Sequence, residues 1–353
     1  MKFIHVADLH LDSKMDALSG EKAKIRREEL FNTFELVADY ADDNNVTAII
    51  ISGDLFDGKK VYLKSKNRVL HVIKKHGNVD FLYLAGNHDE KDIFKGEDLP
   101  ENLIVFDDSL QEVIYDKVSI FGKSGNVGVD VYSKSFDRSR INILALHGQL
   151  INHSGNLNSE EISLPLLKNK NIDYLALGHL HKFNDGVIDA RGKYVYCGCL
   201  EGRGFDEIGQ KGFVEILVKN GTLNYQFIPF AKREIFEISF SCDGVNSWFE
   251  LRDNLVNYVI KNIPQGAIVR VIIEGERNRF EVDKLGLINL LSDRYFYVDV
   301  LDKSRFIVNK SDFEFDKSPL GEFVNTVFES DLENLTKNSV IMCGIKALKG
   351  EEI

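Results

Sequence analysis

One pattern, repeated five times, most constrains what this chain can fold into. A short apolar run ends in a loop that opens with Asp or His, or with Gly and then a polar donor. Residues 2–7 run into Asp8, and residues 47–52 (Thr-Ala-Ile-Ile-Ile-Ser) run into Gly53-Asp54. Phe81-Leu82-Tyr83-Leu84-Ala85 runs into Gly86-Asn87-His88, Ile141–Leu146 into His147, and Tyr174–Leu177 into Gly178-His179. Apolar runs of this length predict buried strands. Residues 21–45 place Leu30, Phe34, Val37 and Ala41 on one face at helical spacing, and residues 60–76 read as a second helix. Strands alternating with helices predict an α/β fold, in which sites collect beyond the carboxyl ends of strands.

From residue 183 to 230 the pattern shifts to short strands separated by Gly186, Gly192, Gly198, Gly212 and Gly221, which predicts antiparallel additions. After Pro229 it changes again: strands at 235–241, 268–273 and 295–301 alternate with helices at 246–262 and 282–292, and terminal helices fill 319–349. The expected organisation is a first domain over 1–232, a smaller α+β domain over 233–310 and a helical segment over 311–353.

Composition excludes several classes. With 44% hydrophobic and 28% charged residues, 10% aromatics and 5 prolines, the chain is globular and not disordered. No apolar run spans a bilayer, so no membrane partner is expected. His5, Asp8 and His10 occupy the stretch where a signal peptide must be apolar. Cys197, Cys199, Cys242 and Cys343 form no dense disulfide framework and fit a reducing cytoplasm. Cys197 and Cys199 have the spacing of a metal pair but lack a second pair, so they read as buried thiols. The net charge of −11 argues against nucleic-acid binding by bulk charge alone.

Seven strand-end residues carry donors that divalent metals accept: Asp8, His10, Asp54, Asn87, His147, His179 and His181. Carboxylate, amide oxygen and imidazole together suit Mn, Fe or Zn. In Asp8-x-His10 and His179-x-His181 the alternate residues of an extended segment share a side. Gly53 permits a sharp turn before Asp54. Seven ligands with one bridging aspartate make two sites of four.

The blocks Asp8-x-His10, Gly53-Asp54-Leu-Phe-Asp57, Gly86-Asn87-His88-Asp89, His147 and Gly178-His179-Leu-His181 resemble those of the calcineurin-like metallophosphoesterases. The opening Phe-Ile-His-Val-Ala-Asp-Leu-His-Leu-Asp, with Cys-Leu-Glu-Gly-Arg203-Gly-Phe-Asp-Glu-x-Gly-x-Lys211-Gly, resembles the DNA-repair exonuclease branch, the SbcD and YhaO type. The resemblance covers roughly residues 1–230 and implies an αββα sandwich, two packed mixed sheets flanked by helices, with a C-terminal capping domain.

The resemblance also implies two divalent ions, Mn²⁺ foremost. One would be held by Asp8, His10, Asp54 and His181, the other by Asp54, Asn87, His147 and His179. His88 would face the scissile phosphate and assist the leaving oxygen. Asp89 would orient His88. It implies DNA as substrate, 3′-to-5′ cleavage, repair as the setting, an SMC-like ABC ATPase as partner, and allows a homodimer. Three departures stand out. Asp57 replaces the Tyr of purple acid phosphatases. Gly58-Lys59-Lys60 replaces the Arg of protein Ser/Thr phosphatases. Cys199-Leu200 replaces the Asn-Pro of many SbcD-type chains.

Substrate contacts are less determined. Residues 58–79 hold seven Lys or Arg and no acid, with Lys60, Lys64, Arg68, His71 and Lys75 on one helical stripe. This is either a phosphate-backbone track or a solvated helix face. Arg203 and Lys211 either contact phosphate or cap turns. His5 reads as a core or surface histidine, His153 as a loop residue and Trp248 as core. Two rival functions remain: a small-molecule phosphodiesterase acting on, for example, cyclic nucleotides, and a scaffold subunit of an ATPase complex.

Overall fold

A computed structural model describes residues 1–18, 20–58, 60–90, 92–277 and 280–349. The chain divides into two compact units, Met1–Ile235 and Phe236–Ile353.

The first unit contains β1 (Lys2–Val6), α1 (Gly20–Asp43), β2 (Ala48–Ser52), α2 (Leu63–Lys75), β3 (Asp80–Leu84), β4 (Leu103–Val105), β5 (Gln111–Tyr115) and β6 (Val118–Gly122). There follow α3 (Val129–Ser133), β7 (Ile141–His147), β8 (Gln149–Ile151), β9 (Glu161–Ser163), α4 (Leu164–Leu167) and β10 (Tyr174–Gly178). The unit closes with β11 (Asn184–Val187), β12 (Lys193–Tyr196), β13 (Gly212–Lys219) and β14 (Thr222–Pro229). Two six-stranded mixed sheets result, in the orders β14-β13-β1-β2-β3-β4 and β11-β12-β10-β7-β6-β5. β1 to β4 are parallel, as are β6, β7, β10 and β12. Antiparallel additions fall at β11 and at β13–β14, as the glycine-punctuated segment predicts, and also at β5, outside that segment.

Strand side chains alternate between two apolar layers, so the strands read as continuous apolar runs. Phe3, Ile50, Leu82, Ile143, Tyr174 and Ala176 fill the layer between the sheets. Leu144, Leu146, Leu175 and Leu177 pack on the outer face of the second sheet with Val131 of α3 and Leu167 of α4. On the first sheet the outer ring of Phe81 meets Phe34 of α1 at 6.3 Å. The expected αββα sandwich is the observed fold.

The second helix starts later than the sequence pattern predicts. Tyr62 is extended and offers no side-chain cap, so helical hydrogen bonding begins at Leu63 and Lys60 lies outside it. The basic stripe is also divided. Arg68 pairs with Glu28 at 2.6 Å and with Asn32, while Lys75 reaches Glu35 and Asp39, all on α1. Lys60 and Lys64 stand exposed. At Arg68 and Lys75 the positive charge is paired with the neighbouring acidic face of α1.

The second unit holds β15 (Ile235–Ser241, whose first residue closes the first unit), α5 (Trp248–Asn262), β16 (Ile268–Glu274), β17 (Glu276–Arg277), α6 (Lys284–Ser292), β18 (Tyr297–Asp302) and β19 (Arg305–Phe306). α7 (Pro319–Glu329) and α8 (Asn334–Lys349) follow. A three-stranded sheet, β15-β16-β18, packs on Leu251, Leu255 and Val259 of α5 and on Leu287 and Leu291 of α6. Ser247 caps α5 by accepting from the Glu250 amide. Trp248 joins this core, while Phe249 is exposed. A separate small core unites Val308, Phe313, Val324, Val327 and Ile341. Among the described residues no helix is long and apolar enough to cross a membrane, and all four cysteines are free.

Candidate metal centre

The carboxyl ends of β1, β2, β3, β7 and β10 deliver the site. The loops after β1 and β2 continue side by side beyond the sheet, with the Asp8 amide donating to Gly53 O, His10 to Asp54 O and Leu11 to Leu55 O. Gly53 lies at φ 89°, and a Cβ there would meet His147 Nδ1 at 2.3 Å. A Cβ on Gly86 would meet Asp54 Oδ1 at 2.2 Å. These glycines admit the close approach of loops from both sheets.

Four of the seven expected ligands occupy left-handed backbone: Asp8 (φ 52°), His10 (44°), Asp54 (51°) and His179 (99°). Such residues cost about 1–3 kcal/mol each and persist only where surrounding contacts over-determine them. Those contacts are present. The His179 amide donates to Asp8 Oδ1 at 2.9 Å, joining the second sheet to the first. The His88 amide donates to Asp54 Oδ1 at 2.9 Å.

The side chains converge. His10 Nε2 and His181 Nε2 face each other at 3.2 Å. Asp54 Oδ2 stands 3.4 Å from His147 Nε2 and 3.7 Å from His10 Nε2, between the two imidazoles. Asn87 Oδ1 lies 2.8 Å from His147 Nε2. Asp8, His10 and His181 form one triad that could hold a cation, and Asp8, Asp54 and His147 form another. His179 lies beside them, its ring centroid 5.5 Å from that of His147. Asp8 thus belongs to both triads, while Asp54 sits between imidazoles of each.

The imidazoles are held from behind. His147 Nδ1 donates to Ser52 O at 2.9 Å. His181 Nδ1 donates to Glu207 Oε1 at 2.7 Å. His10 Nδ1 lies 3.3 Å from Asp57 Oδ1. The hydrogen bonds at His147 and His181 set the tautomer and turn Nε2 inward, as metal-ligating histidines require, while His10 Nδ1 stands within ion-pair distance of Asp57. Arg203 links the two backing carboxylates, with Nη2 2.8 Å from Glu207 Oε1 and Nη1 3.6 Å from Asp57 Oδ1.

The electrostatics fit cations. Burial pushes the Asp8 carboxyl up to about 6. Burial works against charge on His147, yet contact with Asp54 and the charge of Asp8 hold its imidazole up at about 9. A proton is therefore retained at a position where a divalent ion would neutralise the same carboxylates. Contact with His10 holds Asp57 down at about 2. Burial opposes ionisation of Glu207, but His181 and Arg203 hold it well below the usual carboxylate range. Both backing groups are anionic near neutrality.

Two expected roles are corrected. Asp89 does not face His88. Its buried carboxylate accepts the backbone amides of Leu55, Phe56 and Gly86, so it pins the β2 and β3 loops together. The carboxylate near His88 is Asp57, 3.8 Å from Nδ1. Lys211 does not reach outward for phosphate. It is buried, and its Nζ donates to His181 O at 2.7 Å. His5 is buried, with Nδ1 3.0 Å from the Tyr174 hydroxyl, and His153 lies in an exposed loop.

Sequence reasoning did not assign roles to Asp57 and Glu207. Both sit inside motif blocks, three residues after Asp54 and four after Arg203, and the i,i+4 opposite-charge spacing is the signal that could have marked Glu207.

Known proteins share this framework. The uncharacterized metallophosphoesterase YhaO of Bacillus subtilis is 28% identical over 254 residues, covering 64% of this chain and 60% of that protein. The DNA double-strand break repair protein Mre11 of Saccharolobus solfataricus is 26% identical over 306 residues, covering 79% of this chain and 76% of that one. Its counterpart in Sulfolobus acidocaldarius is 30% identical over 206 residues, covering 54% and 52%. The chain thus spans 60% of the first relative's length and about half of the third's. Residues 1–183 match the family model of the calcineurin-like phosphoesterases. This chain belongs to the calcineurin-like phosphoesterase family.

Proposed function

We propose that the chain is a Mn²⁺-dependent DNA phosphodiesterase, an exonuclease or endonuclease of 3′-to-5′ preference that serves DNA repair. The observation that carries the reading is the inward convergence of the His10, His147 and His181 Nε2 atoms on the carboxylates of Asp8 and Asp54, with His147 and His181 hydrogen-bonded through Nδ1. The similarity to Mre11 proteins supports DNA as the substrate. One ion would be held by Asp8, His10, Asp54 and His181, the other by Asp54, Asn87, His147 and His179. When bound, the pair supplies hydroxide near neutral pH and positive charge that holds a phosphodiester for in-line attack.

The chain's own residues do the rest. His88 is half exposed at the rim, its ring edge-on to His10 with centroids 5.0 Å apart. There it donates a hydrogen bond to the phosphate and a proton to the leaving oxygen. Asp57 stands 3.8 Å behind Nδ1, on the side of the ring away from the phosphate position this reading assigns. Arg203 bridges Asp57 and Glu207 and adds positive charge beside the site. In this reading an SMC-like ATPase in the cytoplasm supplies much of the grip on DNA.

The test is cleavage of end-labelled single- and double-stranded DNA with Mn²⁺, alongside cyclic nucleotides and mononucleotides. Mn-dependent release of nucleotides or short fragments is expected. A metal-loaded protein that leaves both DNAs intact while hydrolysing the small substrates sinks the reading and favours a small-molecule phosphodiesterase.

A further inference from the structure

The first unit contains a buried ionic network that the chemistry above does not use. Arg26 of α1 has no solvent exposure, yet it is a full charge. Its Nη1 donates to Glu29 Oε2 at 2.6 Å, and its Nη2 to Glu201 Oε2 at 2.9 Å and to Gly202 O at 2.7 Å. Glu201, also buried, accepts from Thr33 Oγ1 at 2.6 Å and from the backbone amide of Lys232. Glu29 accepts from Arg233 Nη2 at 2.7 Å. Two cations and two anions balance.

Burying such a network removes four charges from water, and apolar residues of the same volume commonly stabilise a fold as well or better. Stability therefore does not account for it. Its position does. Glu201 and Gly202 immediately precede Arg203, and four residues on stands Glu207, the carboxylate behind His181. The Arg203 amide donates to Glu207 Oε2 at 2.7 Å, closing this loop on itself. A Cβ on Gly202 would meet Ile235 Cδ1 at 2.8 Å, and the Gly209 amide donates to Ile235 O at 2.9 Å. The loop behind His181 is thus clamped between α1 on one side and segment 231–235, where the chain leaves the first unit, on the other.

We propose that Glu201 is a positioning residue for the metal centre. Held by Arg26, Thr33 and the Lys232 amide, it fixes the 201–207 loop so that Glu207 and Arg203 hold the His181 imidazole. It also makes the metal affinity at His181 sensitive to segment 231–235, so that a pull on the chain beyond Ile235 is felt at the ligand. The inference rests on the metal-centre reading above.

The experiment uses the full chain and Co²⁺ alone, titrated by visible absorbance and calorimetry, with the melting temperature of the metal-free protein measured in parallel. Arg26→Met/Glu201→Leu replaces the central pair by apolar side chains. It is expected to melt within a few degrees of wild type while Co²⁺ affinity at the site that includes His181 falls about 10–100-fold, the range for lost support of a ligand. Lys232→Pro removes the amide that Glu201 accepts and is expected to lower affinity in the same direction, by less. Glu201→Gln keeps the acceptor for Thr33 and Lys232, and is expected to restore most of the affinity; it also decides the matter if the double variant does not fold. Wild-type Co²⁺ affinity and spectrum in a folded double variant overturn the proposal, as does a Glu201→Gln protein no better than Glu201→Leu. Wild-type protein that binds no Co²⁺ overturns the metal-centre reading instead.

Discussion

Asp57 and His88 show how much chemistry depends on single contacts. Asp57 lies within ion-pair distance of both His10 and His88, so under the proposed function it supports a ligand and a proton donor together. Asp57→Asn is expected to weaken Mn²⁺ binding about 10–100-fold by isothermal titration, because the amide no longer stabilises the His10 tautomer as a charge does. His88→Gln should leave that affinity near wild type and lower kcat about 10²–10⁴-fold, the scale of a lost general acid. Equal loss of binding in both variants would contradict the division of roles.

His5 offers a test away from the centre. Burial holds its imidazole down at about 3, against 6.5 for the free side chain. The unfolded chain thus takes up the proton first. The stabilising contribution of neutral His5 is fully present above about pH 6.5 and is lost as pH falls toward 3. The slope is up to ~1.4 kcal/mol per pH unit, so wild type should lose about 2 kcal/mol more than His5→Gln between pH 7 and 5 in urea unfolding. Parallel curves for the two proteins would refute it.

At the scale of elements, the loops after the strands matter more than the strands. Asp89 gathers three amides from two loops, a task its place in Gly-Asn-His-Asp does not reveal. Asp89→Ala leaves buried donors without an acceptor, and a loss of about 3 kcal/mol or more is expected by denaturant unfolding, with metal affinity falling alongside. A protein as stable as wild type would show that the loops are held by other contacts.

The strands that lead into the site, β1, β2, β3, β7 and β10, were legible because they are buried on both faces and read as unbroken apolar runs. α2 was legible as a helix, but its charge was not interpretable alone. Nothing in residues 58–79 shows that Glu28, Asn32, Glu35 and Asp39 of α1 lie opposite Arg68 and Lys75. Pairing across packed helices is a tertiary fact.

For the whole molecule, the two units carry separate cores, and the metal donors all belong to the first. Mn²⁺ at 100 times its Kd should stabilise that unit by ~2.7 kcal/mol. Calorimetry should show a transition that rises with Mn²⁺ and falls with chelator, while the transition of the second unit stays in place. Movement of both together would mean that the units unfold as one. Residues 1–230 hold 28 Lys+Arg against 34 Asp+Glu. Two divalent ions would offset most of that deficit, so DNA binding by the isolated chain should be weak and strongly salt-dependent.

The sandwich of two sheets came only with the family that the motif blocks resemble; the sequence by itself determined an α/β fold and the strand ends that carry candidate donors. Those properties follow from local apolar runs and from residue types placed directly after them. Only the tertiary structure decided which carboxylate backs which imidazole, where Asp89 and Lys211 point and why four of the expected ligands accept left-handed backbone. Those outcomes depend on contacts between loops from different strands, spanning 171 residues from His10 to His181, and no local pattern encodes them.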